Sequence, residues 1–292
     1  MSEERYHTYH AEAGVLHGRL HLPLVQDIKP QAFTRLSERG GYLSQHAHNY
    51  QLEGIISYRT AYTQVAGNRD VKAGHGWSTV ATAVIEHLNI LDVVTADRVV
   101  AQVATEHPLV GYVPHISFLG TRFENLRIAG HKVDLDLDHD FVGARPKDDS
   151  PYTAIKTLIE RIATQTRQVE GVEPFPDEEL ADFYSPMGCV PGENDGVENQ
   201  DYEESIEGSL VNRSKLDQAD DSYPGKCFGK VIDVPNFGKI HLANVHIKHS
   251  KFKDGIPKKT EVNLSMMKLK MGCIAAGTMA IGNSRVNAGS HP

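Results

Sequence analysis

Apolar residues alternate with polar ones over much of the segment from Trp77 to Phe141, which is rich in Val, Ile, Thr and Phe. A period of two is the signature of a half-buried β-strand. Between Arg98 and Glu106 the pattern puts Val99, Ala101, Val103 and Thr105 on one face, with Arg98, Gln102 and Glu106 on the other. Between Glu124 and Asp140, Leu126 and Ile128 lead into Ala129-Gly130-His131. Val133, Leu135 and Leu137 then alternate with Lys132, Asp134, Asp136 and Asp138. Two alternating runs around a short Gly-containing loop predict a β-hairpin. A sheet with one wet face predicts antiparallel pairing.

Further strand-like runs occur at Leu16–Leu24, Glu53–Gly67, Ile240–Ile247 and Met267–Met271, and Asp254-Gly255 marks a turn between two of them. The clearest helix is expected over 151–169. Ser150 is placed to cap it, Pro151 suits its first position, and Ile155, Leu158, Ile159 and Ile162 form one apolar stripe. The fold class expected is mainly β, an antiparallel barrel or sandwich, with this amphipathic helix covering a sheet face or a barrel end. Residues 1–14 are polar and predict a mobile arm, followed by a single β-rich domain over 15–292. Residues 192–222 are acidic and poor in apolar side chains, which predicts a mobile insertion. Lys and His dominate from Lys226 onward, so charge is segregated along the chain.

Composition narrows the functional classes. A net charge of −8 over 292 residues disfavours general nucleic-acid binding. No run of about 18 apolar residues predicts a membrane-spanning helix. The N-terminus shows no signal-peptide pattern, and Cys189, Cys227 and Cys273 are too widely spaced for a disulfide framework, so a reducing cytoplasmic setting is expected.

Motifs for nucleotide binding, zinc proteolysis and serine hydrolysis are missing from the sequence, so no cofactor is expected and enzymatic activity stays open. Four aspartates at alternate positions (134, 136, 138 and 140) lack the EF-hand pattern, with His139 and Arg145 where Gly and Glu would stand. Sixteen histidines are the compositional oddity. His46 and His48 share one face if their segment is a strand, which makes them the candidate metal ligands. Trp77, with Tyr58, Tyr62 and His75, is the candidate stacking site for a small ligand.

The stretches TADRVVAQVATEHP, FLGTRFENLRIAGHKVDLDLD and MGCIAAGTMAIGNSRVNA resemble parts of uncharacterised bacterial β-rich proteins of unknown function. The resemblance implies a shared β scaffold and carries no site residue with it. Three functions follow as expectations. The first is a non-enzymatic scaffold that binds or self-assembles into a homo-oligomer. The second is a β-barrel that holds, or holds and transforms, a small molecule. The third is a histidine-based metal-binding protein.

Overall fold

The computed structural model describes residues 6–69, 76–172, 204–216, 223–272 and 275–291. In chain order the strands are β1 (Tyr6–Leu22), β2 (Gln26–Gln31), β3 (Thr34–Arg35), β4 (Gly41–Leu52), β5 (Ile56–Arg69), β6 (Trp77–Ile90) and β7 (Val94–His107). They continue with β8 (His115–Ser117), β9 (Arg122–Glu124), β10 (Arg127–Ile128) and β11 (His131–Leu137), after which helix α1 (Lys156–Gln168) intervenes. The rest are β12 (Glu204–Ser209), β13 (Val211–Leu216), β14 (Lys226–Phe228), β15 (Val231–Val234), β16 (Gly238–Lys253), β17 (Ile256–Gly272) and β18 (Ala276–His291).

Two antiparallel sheets result. One runs β14-β15-β16-β17-β18-β1-β2, with β12 added to β16 and β3 to β1; the other runs β13-β11-β10-β7-β6-β5-β4, with β8 and β9 added to β7. The sheets do not join edge to edge, so of the two expected architectures the sandwich forms and the barrel does not. Strands β1, β17 and β18 pack on β5, β6 and β7. Val99, Ala101 and Val103 line that interior, each fully buried, on the face the alternation assigns to them. Ser284 crosses between the layers, its Oγ donating to the Ala101 carbonyl at 3.1 Å.

Both sheets carry the same kink. In the β4–β7 sheet the register passes over positions 49, 59, 87 and 97, which lie side by side, and Asn49 and His87 there are left-handed. In the other sheet it passes over 243, 266, 282 and 15, with Ala243 and Gly282 left-handed. At each line the buried parity flips: Thr79, Ala81 and Ile85 give way to Leu88 and Ile90, and Val262 and Leu264 to Met267 and Leu269. Gly282, the glycine on the second line, has φ +63 and a Met266 side chain that would stand 3.2 Å from an added Cβ. Gly282→Ala is expected to lower stability by about 1–2 kcal/mol through the left-handed backbone, read as a drop in thermal midpoint.

Three expectations change. The arm expected over 1–14 is strand from Tyr6 on, because it pairs residue by residue with β18 from Tyr6↔His291 to Gly14↔Asn283. Within the acidic stretch 192–222, residues 204–216 form β12 and β13, which complete one sheet each by pairing with β16 and β11; the remainder lies outside the described residues. The helix starts later than Ser150 and Pro151 predict. A 3-10 turn at Tyr152–Ala154 precedes it, and α1 has no side-chain cap. Tyr152 explains this: it is fully buried, its N–H donates to His249 Nε2 at 2.9 Å, and its hydroxyl donates to the Pro114 carbonyl. Those tertiary bonds hold the first turn outside the helix. Leu158 is buried and Ile162 packs on the core as expected, whereas Ile159 is 43% exposed. Gln165 fixes the helix to β12 by exchanging two hydrogen bonds with the Ser209 backbone. No helix among the described residues is long and apolar enough to cross a membrane.

Candidate functional site

Strand β4 stands apart from every other edge. It pairs with β5 along its length, from Gly41↔Gly67 to Leu52↔Ile56, and no strand among the described residues lies on its other side. Its 12 residues, GYLSQHAHNYQL, include no Lys, Arg, Asp, Glu or Pro. Other edges carry charge or proline, β2 with Asp27, Lys29 and Pro30, β12 with Glu204 and Glu207 and β14 with Lys226, while β8, which has neither, is only three residues long (His115–Ser117). Charge and proline are the usual devices that stop an edge from recruiting another strand. β4 extends about 40 Å without either, and the left-handed Asn49 interrupts it only near its end. Tyr42 and Leu43 are 62% and 47% exposed, one on each face of the strand.

The two candidate metal ligands lie on this edge. His46 and His48 are exposed and stack side by side with ring centroids 6.4 Å apart. His46 also lies over Tyr62 at 5.6 Å, and Arg98 donates to the Tyr62 hydroxyl at 2.8 Å while approaching Glu86 at 3.6 Å. One polar face therefore runs from β4 across β5 to β7. No group of three or more His, Cys, Asp or Glu side chains among the described residues is placed to hold a metal ion.

The aromatic residues proposed as a stacking site are not brought together. Trp77 pairs with Arg69, and Tyr62 lies seven residues further along β5, about 23 Å away. Tyr58 is buried against Tyr50 at 5.1 Å. His75 lies outside the described residues. Trp77 is 8% exposed and belongs to a cluster that sequence reasoning missed: His7 stacks on it at 5.1 Å, His107 lies 4.9 Å from His7, and Arg69 sits over the indole at 5.9 Å. Burial pulls the His7 imidazole down to about 4 and holds His107 well below the ordinary histidine range, so both rings are neutral. No sequence signal marks His7 or His107, since their burial comes from β1 packing on β6, the neighbour of β7, across the two layers.

The aspartate series is divided among partners. Asp134 pairs with Lys132 at 2.8 Å, Asp136 accepts from the Asn212 amide, and Asp138 pairs with Arg161 at 2.9 Å. Cys227 is an exposed thiol with no disulfide among the described residues, and Cys189 and Cys273 lie outside them. Comparison with known families matches residues 7–248 to a domain of unknown function, DUF8256. No curated protein and no solved structure matches the chain.

Proposed function

The chain belongs to the DUF8256 family, and we propose that it is a non-enzymatic β-scaffold that self-associates, two copies joining edge to edge through β4. The observation that carries this reading is the 12-residue edge with neither charge nor proline. Free strand edges present rows of unpaired N–H and C=O groups, and a second strand satisfies them. A homodimer uses one patch twice. For antiparallel strands that means a two-fold axis normal to the sheet, which keeps each side chain on the same face as its symmetry mate. Tyr42, His46 and His48 of both copies then line one face, and Leu43 and Gln45 of both copies the other. A reducing cytoplasmic setting suits the exposed Cys227 thiol.

Light scattering on the wild type and on Leu43→Lys/Gln45→Lys tests this. Both side chains are exposed in the monomer, so the fold is expected to keep its stability to within about 0.5 kcal/mol. The wild type is expected to be a dimer that high salt leaves intact, because backbone hydrogen bonds join it. Like charges facing each other across the seam are expected to weaken the variant's dimer by about tenfold or more. A monomeric wild type, or a variant of unchanged mass, overturns the reading. A dimer that dissolves in salt points instead to the segregated charges, away from β4.

A further inference from the structure

The same sheet opens a cleft at its far side from β4. Strands β10 and β11 begin as a tight hairpin, Arg127↔Lys132 and Ile128↔His131, and Val133 N–H still donates to the Leu126 carbonyl at 2.9 Å. Then the two arms part. Asn125 is left-handed, with its amide held by Asp97 at 2.9 Å, and β9 stays on β7. β11 turns away to pair with β13, from Val133↔Leu216 to Leu137↔Val211. The gap between the arms has a volume of about 330 Å³.

Its shape and lining select the ligand. One end is shut by the Leu126–Val133 bond, and the other by His139, whose Nε2 donates to the Thr121 carbonyl at 2.8 Å. A cleft closed at both ends cannot thread an extended peptide. Its volume lies near the small end of ordinary ligand sites, about 300–1,000 Å³. The long walls are strand edges, that of β9 facing away from β7 and that of β11 facing away from β13, and such edges offer backbone donors and acceptors alternately. The cleft's two basic side chains each pair with a neighbouring carboxylate, Arg122 with Glu124 at 2.6 Å and Lys132 with Asp134 at 2.8 Å. No excess positive charge remains to hold a phosphate or carboxylate. Phe123 contributes an aromatic surface, and Asp136 a carboxylate. Hydroxyl groups both donate and accept, so they match mixed walls of this kind, and a sugar's C–H face suits an aromatic ring.

We propose that the cleft between β9 and β11 binds a neutral carbohydrate of one or two rings. The site lies at the opposite side of the sheet from β4, so it stands or falls independently of edge pairing. Saturation-transfer NMR on the full chain with glucose, galactose, mannose, maltose, cellobiose and lactose tests it, with inorganic phosphate as the charged control. At least one sugar is expected to bind with a Kd of about 10 mM or tighter. Phe123→Ala and Asp136→Asn are each expected to weaken that binding by tenfold or more. Leu43→Lys/Gln45→Lys is expected to leave it unchanged. Silence from every sugar overturns the proposal, as does sugar binding that survives both cleft substitutions, or phosphate binding that those substitutions abolish.

Discussion

Acid is expected to unfold this protein as the pH falls from 6.5 towards 4, with four buried histidines driving the transition. Burial lowers His7 to about 4, His17 to about 3 and His249 to about 4, and holds His107 well below 6.5. Lys268 adds to the depression of His17, and His7 and Arg145 add to that of His107. In the unfolded chain each imidazole takes up its proton near the ordinary histidine value. In the folded chain it does so only at lower pH. Across that window the unfolded state binds more protons, so each step down in pH favours unfolding. The stability these neutral rings allow is fully present above 6.5 and is lost as the pH approaches their folded values. At about 1.4 kcal/mol for each pH unit between unfolded and folded values, His7, His17 and His249 together reach the order of 10 kcal/mol, comparable with the whole stability of an ordinary domain, and His107 adds in the same direction.

His249 shows why protonation is so unfavourable. Its Nε2 accepts the Tyr152 N–H at 2.9 Å, so the proton sits on Nδ1 and is donated to Thr260 Oγ1 at 3.1 Å. A second proton on Nε2 would face the Tyr152 N–H directly. It would break the bond that anchors the turn ahead of α1. Circular dichroism melts from pH 8 to pH 4 are expected to show a steep fall in thermal midpoint below 6.5. Proton uptake on unfolding near pH 5 is expected to be about four per chain from these groups. In His107→Phe it is expected to drop by about one. A midpoint that stays flat between pH 6.5 and 5 would mean that these rings are hydrated in solution.

Much of the sandwich is written in the chain, and its interruptions are not. The β7 alternation and the hairpin around Ala129-Gly130 are legible because burial on one face sets the period directly. Asp254-Gly255 is legible because both residues adopt positive φ, 54° and 77°, in a two-residue hairpin turn. The kink lines are hidden. Asn49, His87 and Ala243 are not glycines, and each flips the buried parity in mid-strand. A reader counting by twos loses the face there. Residues 6–14 look like a solvated arm because their pairing partner, β18, lies at the far end of the chain, and acidic 204–207 look like a loop because their partner, β16, is also distant in sequence. The β4 edge was half visible. His46 and His48 do share a face, but only the sheet order shows that nothing pairs beyond them. Trp77 reads as core more readily than as a ligand platform, and the packing of β1 against β6 decides for core.

Glu12 is where the misread arm has its largest energetic consequence. It is 1% exposed and sits in register with Arg35 of β3 on one side and Arg285 of β18 on the other. Its Oε1 is 2.5 Å from Arg35 and 3.1 Å from His10 Nε2, and its Oε2 is 3.9 Å from Arg285. Burial alone would raise this carboxyl; the His10 hydrogen bond and the two guanidiniums outweigh it and hold the group below its ordinary value. Glu12 therefore contributes stability above the unfolded carboxylate range and loses it as the pH falls through its lower folded value, beneath the histidine window. Glu12→Ala removes the carboxylate and leaves two cations beside an apolar layer. Loss of one partner of a buried pair costs roughly 3–5 kcal/mol. The lower end is expected here, because Arg35 is 35% exposed and Arg285 keeps Glu261 at 2.7 Å. Replacing both members, as Glu12→Leu/Arg35→Met, is expected to recover most of that loss, since the desolvation of the charges disappears with them. Urea titrations of the wild type and the two variants decide it. If Glu12→Ala unfolds at the wild-type midpoint, the carboxylate is not buried in solution, and β1 does not enter the sandwich from Tyr6 as the register requires.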